Sequence, residues 1–318
     1  MKQSLSLIIL LSIVLAACAS PQSAPAPVVA QPTAANTPTL AVVSNTPAEL
    51  ADILGNLSYS GLFPDQQIAL TDGYADYEEE GPGHPFVRLI DHLIATGDLN
   101  GDGVEDAVAL LEDDSTGSGD FVYLAAVLNV WAEPTPLKAI MLGDRSPVKS
   151  LTIAGTQVIA ELIAQGPGDP ACCSTWNVRK NFNIEGGQLV EGSSVELNKA
   201  SLNDLSGTSW RLVDLNLDQE PVLPETEITL HIAGSQINGS AGCNSYSSLV
   251  TGEEDSPQVF VVGPLTTERK LCSDPISNQE STYLTRLASV VSWRYDFGDL
   301  SLSYKLDDNT YGELLFAP

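Results

Sequence analysis

The chain has 318 residues, 14 Lys+Arg against 41 Asp+Glu, three His and a formal charge of −27. That length suits two folded units plus tails, and 43% hydrophobic with 17% charged residues is ordinary for a folded protein. A surface this acidic repels phosphate backbones, which excludes nucleic acid as a partner and favours hard cations or basic partners.

At the start, Met1-Lys2 precedes an apolar run from Leu5 to Ala17. This is too short for a bilayer core that needs about 20 residues, but it fits the apolar region of a secretory leader. The run ends in Leu15-Ala16-Ala17-Cys18, which resembles the lipobox of bacterial lipoproteins. The resemblance implies a signal peptide over 1–17, lipidation of Cys18, and membrane attachment through more than one acyl chain, enough for stable anchoring. Loss of Lys2 with the leader takes the charge from −27 to −28. Ala19 follows, where an Asp would resemble the inner-membrane retention signal of diderm bacteria; its absence favours the outer membrane or cell surface.

Residues 18–47 read as a tether. From Ala19 onward they hold no charge and no aromatic, and six prolines bias them to polyproline II. Such a segment reaches at most about 90 Å when extended and about 30 Å as a coil.

Residues 48–197 read as a β-rich domain. Thr46-Pro47-Ala48-Glu49 carries an N-cap, a proline at the first helical position and an acidic first turn, so a short helix through about Asn56 is expected. Apolar runs between turn clusters then predict strands at Phe86–Ala95, Asp106–Leu111, Phe121–Trp131, Leu137–Leu142, Leu151–Ile163 and Trp176–Ile184, in a mostly antiparallel sheet.

Between the first two strands lies Asp98-Leu99-Asn100-Gly101-Asp102-Gly103-Val104-Glu105-Asp106. Oxygen side chains at loop positions one, three, five and nine, with glycine at six, are what a calcium loop needs; Val104 would offer its carbonyl. Position twelve is Ala109 where an EF-hand has a bidentate Glu. The stretch resembles instead the Asp-x-Asn-Gly-Asp-Gly-x-x-Asp loops of extracellular β-repeat and dockerin-like modules. That resemblance implies a structural calcium held by Asp98, Asn100, Asp102, Val104 and Asp106, completed by water, Glu112 or Asp120. The alternative is a polar Asn-Gly/Asp-Gly turn.

Gly166-Pro167-Gly168-Asp169-Pro170 leads as a loop into the adjacent Cys172 and Cys173. In an exported chain these either form a vicinal disulfide or pair elsewhere.

Residues 205–318 carry Leu205-Ser206-Gly207-Thr208-Ser209-Trp210-Arg211-Leu212, then Gly239-Ser240-Ala241-Gly242-Cys243-Asn244-Ser245-Tyr246, then Thr266 to Cys272. Trp-x-Leu, Gly-x-x-Gly-Cys-Asn-x-Tyr and Thr-x-x-x-x-x-Cys, in that order, are similar to the META domain, the family of the HslJ heat-shock protein. The element that reads Thr-Arg-x-x-Cys in many members is here Thr267-Glu268-Arg269-Lys270-Leu271-Cys272. The resemblance implies a role at the cell envelope in stress or drug tolerance, virulence or secretion, without a defined reaction.

From the residues themselves, Gly239 and Gly242 bracket a bend that presents Cys243. Ser277 or Asn278 caps a helix with Tyr283, Leu284, Leu287, Val290 and Val291 on its buried stripe, and strands follow near Leu300–Tyr304 and Glu313–Phe316. Cys243 and Cys272 are the two cysteines of this unit, so in an oxidising compartment they are expected to pair.

The whole chain is therefore expected to be α+β and mostly antiparallel β, in two small domains, the second a META-like sheet with one packed helix. Its function reads as a non-catalytic envelope lipoprotein that meets an envelope protein or ligand at the extracytoplasmic face. The alternatives are an extracellular carboxylate hydrolase, and a redox or metal-handling protein using Cys172-Cys173. His84, His92 and His231 sit in unrelated contexts and assemble no catalytic motif.

Overall fold

A computed structural model describes residues 46–76, 86–114, 120–144, 146–169, 174–216, 220–307 and 309–318. The leader, Cys18, the tether, His84, Cys172 and Cys173 lie outside these ranges.

The first helix, α1 (Pro47–Leu54), begins as its sequence dictates. The Thr46 hydroxyl accepts the Glu49 N–H and the Glu49 carboxylate accepts the Thr46 N–H, a complete capping box with proline in the first turn. It ends at Leu54, where Gly55 donates back to Ala51 O, so it is shorter than the reading to Asn56.

Beyond it the chain is strand after strand, all paired antiparallel. Asp106–Asp113 and Phe121–Leu128 are central, and each is buried on both faces. Side chains alternate across a strand. Val108, Leu110, Val122, Leu124 and Ala126 therefore meet Val158, Ala160, Leu162 and Phe182 of a second, four-stranded sheet. Ala107, Ala109, Leu111, Tyr123, Ala125 and Val127 face the other way, onto α1 and the hairpin of Ser58–Ser60 with Gln67–Ala69. Two-sided burial is why these segments read as unbroken apolar runs.

The expected strand at Leu151–Ile163 is two, Val148–Ala154 and Gln157–Ala164, turned at Gly155, whose φ of +61° suits glycine. The strand expected at Leu137–Leu142 lies at Ile140–Asp144. Gln188–Lys199, which no apolar pattern announces, forms the outer strand of the second sheet, with nearly every residue exposed. Two register shifts along it and the acids Glu191 and Glu196 blunt an edge that would otherwise invite pairing.

The C-terminal part is one sheet that closes on itself. In spatial order its strands are Val261–Val262, Ser245–Thr251, Gln236–Ser240, Thr229–Ala233, Ser209–Asp214, Tyr311–Ala317, Asp299–Lys305 and Val290–Asp296. The two ends then meet: Trp293 N–H donates to Gln258 O at 2.8 Å, Phe260 N–H to Val291 O at 3.1 Å, and Val259 bridges Ser292. Closure of this kind removes free edges. Aromatic side chains fill the interior: Trp210, Tyr246, Phe260, Tyr283, Trp293, Tyr304 and Phe316 are almost fully buried. In a small barrel of this kind the side chains fill the interior.

Helix α2 (Asp274–Ala288) buries Gln279, Tyr283 and Leu287. It starts earlier than the Ser277 or Asn278 cap expected, with Ser273 in the N-cap position and Pro275 in the first turn, where a missing N–H costs nothing. Val290 and Val291 are not helical; they open the strand Val290–Asp296, where Val290 is buried and Val291 exposed.

The two sheeted parts touch along a seam that mixes apolar contacts, Phe297 in the first core and Ile163 in the second, with polar ones. Lys149 Nζ lies 3.6 Å from Asp204 Oδ1 and 5.2 Å from the Tyr295 ring centre, and Tyr295 donates to Asp204 O at 3.0 Å. Gln258 Nε2 donates to Ser174 O at 2.6 Å, and Gly298 N–H to Val148 O at 2.8 Å.

Candidate functional site

Two local constructions stand out, and each uses residues that the sequence singles out. The first is the loop 98–106. Asp98 Oδ1 accepts the N–H groups of Gly101 (2.7 Å) and Asp102 (3.2 Å), and its Oδ2 accepts that of Gly103 (3.0 Å). Asn100 Oδ1 accepts from Asp102 N and Asp102 Oδ1 from Val104 N. Gly101 and Gly103, at φ of +78° and +83°, allow the chain to wrap around the Asp98 carboxylate.

Asp106 does something else. Fully buried, it accepts Leu99 N–H on Oδ2 at 2.8 Å and Asn129 N–H on Oδ1 at 2.9 Å. Its carboxylate thus faces the protein, where it satisfies two donors that would otherwise be stranded.

In this arrangement the oxygens of Asp98, Asn100 and Asp102 accept N–H groups of their own loop, whereas Asp106 turns to the protein. Among the described residues no group of three or more His, Cys, Asp or Glu is arranged to hold a metal ion. Glu112 and Asp120, expected to complete the coordination, sit at the wrong end. Gly97 pairs with Asp106 beside the loop, whereas Asp113 pairs with Phe121 seven residues further along, over 20 Å away at strand rise. Glu112 pairs with Arg88 there instead.

The buried carboxylate has a further consequence nearby. With Asn129 fixed at φ +52°, Val130 N–H donates to Glu105 O at 3.1 Å and Trp131 Nε1 to Glu105 Oε2 at 2.5 Å. Asp91 and His92 belong to a bulge opposite. From Ile90 to Ala95 one strand advances five residues while its partner moves only from Leu110 to Val108. Three extra residues therefore leave the ladder, and a bulge re-aims side chains in this way. Sequence reading misses Glu105, Trp131 and the role of Asp91 because nothing local signals that residues forty apart converge.

The second construction is the corner at Cys243. Gly242, at φ +95°, turns the chain. Cys243 and Cys272 lie at disulfide distance, with Cα atoms 6.2 Å apart across 29 residues. In the chain-entropy model a loop of that length contributes about 3–4 kcal/mol.

Asn244, 5% exposed, joins three segments. Its N–H and Nδ2 donate to the two Glu280 oxygens of α2 at 2.8 and 2.9 Å, and its Oδ1 accepts Lys270 N–H at 2.7 Å. Gln279 accepts Leu223 N–H and donates to Thr226 Oγ1, both at 2.7 Å. Underneath, the Tyr246 and Tyr283 hydroxyls meet at 2.7 Å. Burial pushes both phenols well above their ordinary range, so they remain neutral hydrogen-bonding groups. Gly239 is needed because a Cβ there would strike the Thr229 carbonyl oxygen, which accepts the Tyr246 hydroxyl at 2.9 Å. The motif residues thus act as a bracket that fixes corner, loop and helix together.

Of the remaining candidates, His92 sits on the exposed bulge with Nδ1 3.5 Å from Asp91 Oδ1, and His231 is exposed on the strand Thr229–Ala233. No helix among the described residues is long and apolar enough to cross a membrane.

A closed antiparallel barrel carrying one packed helix and a disulfide-distance corner defines the class of this C-terminal module. Residues 203–314 match the META domain family, spanning the barrel and α2. No curated protein and no solved structure matches the chain.

Proposed function

We propose that this chain is a non-catalytic lipoprotein of the cell envelope, held through Cys18 and working by binding or envelope support at the extracytoplasmic face. The META match over residues 203–314 carries the reading, because that family supplies an envelope and stress context without a defined reaction. Two features support it. Cys243 and Cys272 lie at disulfide distance, which suits a compartment where thiols oxidise. The filled barrel interior and the fully bonded corner leave surface recognition as the natural mode of action.

Metabolic labelling with a palmitate analogue, followed by membrane fractionation, tests the address. Incorporation that Cys18→Ser abolishes, with the variant leaving the membrane fraction, is the expected result. An unlabelled product in the cytosol overturns the reading.

A further inference from the structure

Asp91, His92 and Ile94 of the bulge, with Leu50 of α1, Glu105 and Trp131, line an open cavity of about 350 Å³. We infer that this cavity binds one ring of a glycan, either neutral or bearing an amine. The inference goes beyond the envelope reading and does not depend on Cys18.

The chemistry of the walls narrows the ligand. The volume is at the small end of ligand sites and accommodates one sugar ring. Leu50, Ile94 and the half-buried Trp131 supply an apolar face, which a pyranose matches with its ring C–H groups. Asp91, His92 and Glu105 supply hydrogen-bonding groups around it, matching the ring of hydroxyls. No Lys or Arg lines the cavity, and its two carboxylates repel phosphate, sulfate and uronate groups. An ammonium is tolerated or favoured for the same reason.

The Trp131 and Glu105 wall is also fixed in advance. The Trp131 indole is held through its N–H by Glu105, and Glu105 is held through its carbonyl by Val130 N–H. The turn that places Trp131 is anchored on the buried Asp106. On the other side a three-residue bulge lifts Asp91 and His92 out of the ladder, sacrificing sheet hydrogen bonds at the cavity edge. Preorganisation of this kind reduces the ordering cost of binding a weakly held ring.

The test uses the purified full-length chain and three trisaccharides: an N-acetylglucosamine trimer, its de-acetylated amine form, and a galacturonate trimer. Saturation-transfer NMR and calorimetry report binding. The neutral and amine trimers are expected to bind and the galacturonate trimer not. Trp131→Ala is expected to weaken binding about tenfold, the scale of one lost aromatic face. Asp91→Lys, at a side chain 72% exposed and so safe for folding, is expected to erase the preference for the amine trimer over the anionic one. If no trimer binds, or if binding ignores both substitutions, the inference is wrong.

Discussion

Asp106→Ala separates a carboxylate that organises the fold from one that waits for an ion. In the native protein both Asp106 oxygens accept backbone N–H groups, from Leu99 and Asn129, with no solvent exposure. Removing the carboxylate strands two buried donors. Hydrogen bonds to a charged partner contribute about 1.5–3 kcal/mol each, so a loss of roughly 3–5 kcal/mol is expected once some relaxation is allowed. At about 2–3 °C per kcal/mol for a body of this size, the melting temperature falls by roughly 6–15 °C. Asp98→Ala is the matched control. It removes three accepted N–H bonds, but from Gly101, Asp102 and Gly103 on an exposed loop where water replaces them, so about 1 kcal/mol or less is expected. Calorimetric melts of wild type and both variants, in EDTA and in millimolar calcium, make the comparison. Equal losses for the two variants would refute the assignment of Asp106 to the core. So would a calcium-induced rise of several degrees that Asp102→Ala abolishes, which would return the loop to the role its spacing suggests.

Two further outcomes follow from the same structure. Gly239→Ala drives a Cβ into the Thr229 carbonyl, which cannot yield without disturbing the Tyr246 hydroxyl bonded to it; a loss of about 1–3 kcal/mol is expected in denaturant melts, whereas Gly192→Ala, whose Cβ would meet chiefly the movable end of the Asn183 side chain, should cost less. The Asp169 carboxyl is pushed up by burial, but hydrogen bonds from Gly166 N, Thr175 Oγ1 and Thr175 N, with the Lys199 charge, outweigh this and hold it below its ordinary 3.8. A lowered folded value means that the stabilisation is fully present above the unfolded value and is lost as pH falls through the folded one. Hydrogen exchange at Gly166 and Thr175 should therefore stay protected at pH 5 and lose protection below about pH 3.8, and a flat profile would count against the Asp169 staple.

Much of the architecture is written locally. The Thr46–Glu49 cap, the apolar runs at 106–111 and 121–128, and the Gly-x-x-Gly-Cys-Asn corner each state their conformation within a dozen residues, because capping, two-sided burial and positive φ are short-range demands. That Cys243 and Cys272 lie at disulfide distance was legible too, since they are the two cysteines of that unit.

What required the tertiary structure is where non-local backbone groups decide. Asp98 and Asp106 look alike in a motif. Only the position of Asn129, brought alongside by the neighbouring strand, gives the second Asp106 oxygen a backbone partner and fixes the carboxylate inward. The strand Gln188–Lys199 has almost no buried face, so no periodicity could reveal it, and pairing with Trp176–Glu185 alone defines it. Barrel closure through residues 258–260, and the cavity between the 91–94 bulge and Trp131, likewise depend on contacts between segments far apart in the chain. Side-chain sequence encodes which face is buried; which distant N–H or ring then meets that face is set only when the sheets assemble.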